Sequence, residues 1–202
     1  GVLFTAVIQD RVTEFLDLEG IIRSADPAFG EDAGPHWMDQ FLVARRLVEA
    51  GVRCVTLSFG SWDRHHSNFA RLPDQLARFD QAITALVGDL HDRGLDKDVS
   101  VVAWGEFGRT PMGEKRESTG RNHHIDAFTM WFAGGGMKRG HLYGETAPER
   151  PLMAIKDPVN ISEMHATIFT AMGISPKTVF DIEGRPFYAT IDGKGKPANI
   201  FG

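Results

Sequence analysis

The sequence predicts an α/β protein with a mostly parallel sheet whose faces are covered by helices. Three observations predict it. "VRCVTLSF" (52–59) and "VSVVAW" (99–104) are β-rich and nearly continuous in apolar character, as strands buried on both faces would be. Between them, "NFARLPDQLARFDQAITALVGDLHDRGL" (68–95) spaces Leu72, Leu76, Phe79, Ile83, Leu86 and Leu90 three or four residues apart, the pattern of a long amphipathic helix. Strand, long helix and strand make a βαβ unit, and a crossover of that length allows the second strand to return parallel to the first.

The other elements follow in order. A helix at 8–23 and a Pro/Gly-rich loop are the reading of the first 35 residues. "HWMDQFLVARRLVEAG" (36–51) carries Trp37, Phe41, Ala44, Leu47 and Val48 at helical spacing, with Gly51 placed to end the helix in a left-handed conformation. Gly94 is placed to end the long helix in the same way. "AFTMWFAGGG" (127–136) reads as a third strand and "ISEMHATIFTAMGI" (161–174) as a late helix closed by Gly173. The tail from 184 to 202, rich in Gly, Lys and Pro, is expected to wrap the surface. No composition shift marks a boundary, so residues 1–202 are expected to form a single domain.

The chain has 202 residues, 42% hydrophobic and 24% charged, an ordinary balance for a globular protein. Its net charge of −5, with scattered basic residues, argues against nucleic acid or anionic membrane as the main partner. No apolar run approaches the ~20 residues that cross a bilayer. The one cysteine, Cys54, forms no intrachain disulfide and sits in an apolar run as a small core residue.

In open parallel sheets ligands bind beyond the carboxyl ends of the strands, so the residues after each strand matter most. After the first comes "GSWDRHHSN", with Asp63, His65, His66 and Asn68. After the second comes "GEFGRTP", with Glu106 and Arg109. The next connection holds "GRNHHID", with Arg121, His123, His124 and Asp126. Imidazoles and carboxylates from separate loops are the donor set of a divalent cation of the Zn or Mn type. Asp63 and His65 would supply two ligands of different charge, and a histidine of the later loop a third. Such a site polarises a phosphoryl or sulfuryl oxygen, and an arginine adds a planar fork for oxyanions.

Each residue also has a purely structural use. Asp63 could cap a turn, Ser67 or Asn68 could cap the long helix, and Glu106 could favour a helix start through the helix dipole. The convergence of three loops on one edge is what favours a ligand or metal site. Other motifs are absent or bland. "SFGSW" is no nucleophile elbow, and "GEFGRTPMG" matches neither a dinucleotide fingerprint nor a phosphate-binding loop. "GGGMKRG" (134–140) reads as a tight turn, and His165 as a packed or capping helix residue.

"SWDRHHSNF", "VVAWGEFGRTP", "GRNHHIDAFTMWFAGGGMKRGHLYGET" and "MHATIFTAMGI" together resemble the C-terminal half of a bacterial family of unknown function within the alkaline-phosphatase/sulfatase-like superfamily. The likeness runs in order from about residue 40 to 190. It implies an αβα three-layer sandwich around a mostly parallel sheet, of which this chain would be the C-terminal portion. It also implies a hydrolase using one or two divalent metals, whether Zn, Mn, Mg or Ca. Asp63, His65 and His123 resemble the ligands of one metal. Glu106 stands where a second metal's Asp would be, but Phe107 replaces its His. The superfamily's nucleophile follows an Asp on the first strand, and no such segment is read in residues 1–35. Members of the family are often exported behind a twin-arginine leader, so the resemblance implies a periplasmic location, although this chain shows no leader.

The expected function is therefore metal-dependent hydrolysis of a small anionic phosphate or sulfate ester. Asp63, His65, His123 and Glu106 would bind the metal, with Glu106 alternatively orienting water, and Arg109 and His124 would face the oxyanion. The alternative is a non-catalytic module that keeps the fold and binds an anion or a partner protein.

Overall fold

A computed structural model describes residues 2–3, 39–60, 62–111 and 119–202. The helix expected at 8–23 and the search for a nucleophile in the first 35 residues fall almost wholly outside them. In chain order the elements are β1 (Val2–Leu3), α1 (Asp39–Glu49), β2 (Ser58–Phe59), α2 (Asn68–Asp92), β3 (Ser100–Ala103), β4 (Gly108–Arg109), β5 (His123–His124), β6 (Trp131–Gly134), β7 (Glu145–Thr146), β8 (Ala154–Lys156), α3 (Ile161–Ala171), β9 (Val179–Ile182) and β10 (Arg185–Tyr188), then a 3₁₀ turn at Ile191–Gly193.

The three helices of the described residues lie where the apolar spacing puts them, and each stops for the same local reason. The amides of Gly51 and Val52 donate to Val48 and Leu47, those of Gly94 and Leu95 to His91 and Leu90, and those of Gly173 and Ile174 to Thr170 and Phe169. These paired bonds satisfy carbonyls the helix leaves open, and they require a left-handed residue where the glycine stands. Gly94, for example, has φ +71°. The start of α3 is closed by a capping box in which Asn160 and Glu163 each accept the other's amide.

The mostly parallel three-layer sandwich is not what forms. Among the described residues the strands pair two by two, as β1–β2, β3–β6, β4–β5, β7–β8 and β9–β10. The ladders β1–β2, β4–β5, β7–β8 and β9–β10 are antiparallel. Strand, long helix and strand are present in sequence, but β2 and β3 belong to different pairs, so the crossover joins no parallel ladder. Of residues 52–59 only the last two are strand, where Leu57 and Phe59 are buried around an exposed Ser58. That alternation marks a strand with one face against a core rather than two.

The chain divides into two compact units, 1–95 with 102–131 and 96–101 with 132–202. In the first, α1 and α2 enclose an aromatic core. Phe59, fully buried, meets Phe41 edge-on at 5.5 Å and Phe79 at 5.8 Å between ring centroids. Trp62 packs edge-on against Phe79 and donates its indole N–H to the Phe59 carbonyl at 2.7 Å, so the core reaches to the residue before Asp63. Buried Arg45 pairs with Asp89 at 2.7 Å, and Arg93 bridges Asp89 and Glu49 at 2.9 and 2.8 Å, tying α1 to α2. Cys54 is half-buried, and burial pushes its thiol pKa up.

In the second unit β9 and β10 form a hairpin whose two-residue turn, Glu183 and Gly184, has φ of +52° and +75°. Both signs are those of a turn that matches the twist of a hairpin. The tail returns along its own unit. Lys138 donates its amide to Ile200, Gly202 to Gly136, and Ala198 to the Thr167 hydroxyl in α3. The "GGGMKRG" segment is a turn, with Gly134, Gly135 and Gly136 all at positive φ. His165 lies on the exposed side of α3 rather than packed within it.

Candidate metal centre

The site lies within the first unit, where three stretches of chain are pinned together. Backbone bonds run from Arg121 N to Arg64 O at 3.0 Å, from Asn68 N to Thr119 O at 2.9 Å and from Thr110 N to Asn122 O at 2.9 Å. The β4–β5 ladder sets Arg109 opposite His123 and Gly108 opposite His124. Close approach requires glycine at two of these positions. A Cβ on Gly120 would lie 1.8 Å from the His65 carbonyl oxygen, and one on Gly108 would lie 2.0 Å from that of Ala127.

Within this frame Asp63, His65 and His123 converge. Asp63 Oδ1 lies 2.8 Å from His123 Nε2 and 3.1 Å from His65 Nε2. Each residue offers one ligand atom, and all three atoms lie within 4.8 Å of one another. Donors around one small cation at ~2.1 Å stand roughly 3.4 Å apart in tetrahedral geometry, so two of these separations are a few tenths of an ångström short of that edge. One carboxylate and two imidazoles are a donor set suited to Zn or Mn. The side chains of Asp63, His65 and His123 are 55%, 40% and 41% exposed, so the cluster opens to solvent and leaves a cation room for water.

The surrounding groups shape this cluster. Arg109, opposite His123 in the ladder and so on the same face, reaches Asp63 Oδ1 at 3.3 Å and Glu106 Oε1 at 3.5 Å. The Phe107 ring lies 4.3 Å from the His123 ring and 5.3 Å from the Arg109 guanidinium carbon. Where the resemblance implies a missing second-metal ligand, Phe107 is thus a floor on which an imidazole and a cation rest. His65 Nδ1 lies 3.2 Å from Asn122 Oδ1.

The hydrogen bond from His123, and after it the nearby charges of His65 and Arg109, hold the Asp63 carboxyl below its ordinary 3.8. A carboxyl whose folded pKa is lowered stabilises the fold above its unfolded value, and that contribution is lost as pH falls through the folded value. Asp63→Asn should therefore melt below the wild type at neutral pH. The gap between their melting temperatures should close as pH drops below 3.8, and a gap that widens in acid would contradict this origin.

The sequence-predicted residues thus divide. Asp63, His65 and His123 come together, with Arg109 beside them. Glu106 is not among the three clustered ligands, and its carboxylate faces Arg109. It starts no helix, because the chain turns into β4 instead. His124 follows His123 directly on β5, so the pleat sends it to the opposite side of that strand. Ser67 is the N-cap of α2 but makes no side-chain cap bond, and its own amide donates to the Thr119 hydroxyl. Asn122 and Thr110 were not legible as site residues, because an amide and a hydroxyl carry no ligand pattern until their partners are known.

These features define a protein of mixed helices and short antiparallel strand pairs with an exposed two-histidine, one-carboxylate cluster able to hold a cation. Residues 3–198 match the family described as "Protein of unknown function (DUF1501)", and the chain belongs to that family. No curated protein and no solved structure matches the chain. No helix among the described residues is long and apolar enough to cross a membrane.

Proposed function

We propose that the chain is a metal-dependent hydrolase of phosphate or sulfate esters, of the alkaline-phosphatase/sulfatase-like kind in its chemistry. The observation that carries this reading is the meeting of Asp63, His65 and His123, drawn from two distant stretches, beside the Arg109 guanidinium. A divalent cation held by the three would polarise an ester oxygen and acidify a water. Arg109 would present its planar fork to the non-bridging oxygens of the substrate. Glu106 would hold that fork in place and orient an attacking water, and Phe107 would support Arg109 and His123 from below. The open side of the cluster is where a small anionic ester would enter.

The test is metal removal. Protein stripped by a chelator and reloaded separately with Zn²⁺, Mn²⁺, Mg²⁺ or Ca²⁺ is assayed on a chromogenic phosphate ester and a chromogenic sulfate ester. Turnover should be at background in stripped protein and return with at least one ion. Equal turnover with and without chelation, or none with any ion, would overturn the reading. One observation favours a second reading, a non-catalytic module that binds an anion or a partner. Asp63 is engaged by two imidazoles and a guanidinium, so the cluster can also hold its loops together by itself. Anion-induced thermal stabilisation without turnover by any loaded form would support that module.

A further inference from the structure

Resting on the metal reading of Asp63, His65 and His123, we propose that Asn122 is the positioning residue that fixes the proton of His65 and aims its lone pair at the cation. The observation is a directional one. The side-chain carbonyl oxygen of Asn122 lies 3.2 Å from His65 Nδ1, and such an oxygen only accepts. Nδ1 therefore carries the hydrogen, and in the neutral ring Nε2 carries the lone pair.

His65 Nε2 stands 3.1 Å from Asp63 Oδ1, which is itself an acceptor. A cation shared between these two acceptors would turn their closeness into joint ligation. His123 differs, because its Nε2 is hydrogen-bonded to the same oxygen at 2.8 Å. A ligating histidine commonly donates its other ring N–H to an oxygen that sets its tautomer and orientation. Asn122 occupies that place for His65.

Asn122 is itself held on both sides of its peptide. Its N–H donates to the Thr110 hydroxyl at 3.1 Å, and its carbonyl accepts the Thr110 amide at 2.9 Å. The neighbouring Arg121 amide is tied to Arg64, one residue before His65. The amide oxygen is therefore presented to His65 from a fixed stretch of backbone rather than from a free loop.

The experiment reads the tautomer directly. Long-range proton–nitrogen correlation spectra of the ¹⁵N-labelled, metal-free full chain are recorded at neutral pH, with His65 assigned by its loss in His65→Gln. His65 should carry its hydrogen on Nδ1, the less common form for a solvated imidazole. Asn122→Leu should release that preference and weaken Zn²⁺ binding, measured by chelator competition, by about 10–100-fold. Asn122→Asp keeps an acceptor in place and should retain the tautomer and most of the affinity. A wild-type His65 protonated on Nε2, or Zn²⁺ binding unchanged in folded Asn122→Leu, would overturn the proposal. Should Asn122→Leu fail to fold, the wild-type tautomer and the Asn122→Asp affinity still decide it. The assigned tautomer without Zn²⁺ uptake by the wild type would sustain the assignment and remove the metal reading.

Discussion

Replacing Asp63 by alanine should remove cation binding and any metal-dependent ester turnover together. Asp63 Oδ1 is the one atom that both imidazoles and Arg109 approach, at 2.8, 3.1 and 3.3 Å. Without it the two histidines lose the anionic ligand between them, and Arg109 loses a carboxylate neighbour. The loss in affinity should exceed the ~10–100-fold typical of an outer hydrogen-bond partner, because a direct ligand is removed. Calorimetric titration with Zn²⁺ and Mn²⁺ measures it, and circular dichroism shows whether the fold persists. The side chain is more than half exposed, so the fold should survive at neutral pH with a modest loss of stability. Affinity within a few-fold of wild type in a folded Asp63→Ala would end the case for this site.

The second large effect concerns the core beneath the same loop. Phe59→Ala should cost about 3–5 kcal/mol, the range for deleting a buried aromatic ring. Phe59 is fully buried between Phe41 and Phe79, so its loss leaves a hole those rings cannot readily fill. Whole domains are stable by roughly 5–15 kcal/mol, so this change removes a large fraction of the margin. Urea unfolding should show a clearly lowered midpoint. Phe59→Leu, which keeps much of the apolar volume, should lose distinctly less. Because Phe59 packs on Phe79, against which Trp62 rests just before Asp63, Phe59→Ala should also weaken cation binding, whereas a change confined to the cluster should cost far less stability.

The contrast between these two sites shows what could be read without coordinates. Helix ends were legible because they are local: Gly51, Gly94 and Gly173 each stand where the apolar spacing stops, and a left-handed residue is needed there. The cluster was legible in part because its donors are chemically distinctive. Asp63, His65 and His123 remain ligand types wherever the chain carries them. The sheet was not legible. "VRCVTLSF" has the same apolar content whichever strand it pairs with, and pairing is decided between distant segments; here only Ser58–Phe59 forms a ladder, and with residues 2–3. His124 could not be separated from His123 by type, only by the pleat of β5. Phe107 looked like a lost ligand by resemblance, and its packing against His123 and Arg109 needed positions in space.

The separation of Asp63 and His123 along the chain, 60 residues, has a consequence of its own. An ion gripping both ends acts as a reversible staple across a long loop. It penalises the open chain, whose ends would otherwise wander, and the penalty grows only slowly with loop length. Cation supply would then set not just chemistry at the surface but how firmly the first unit stays shut.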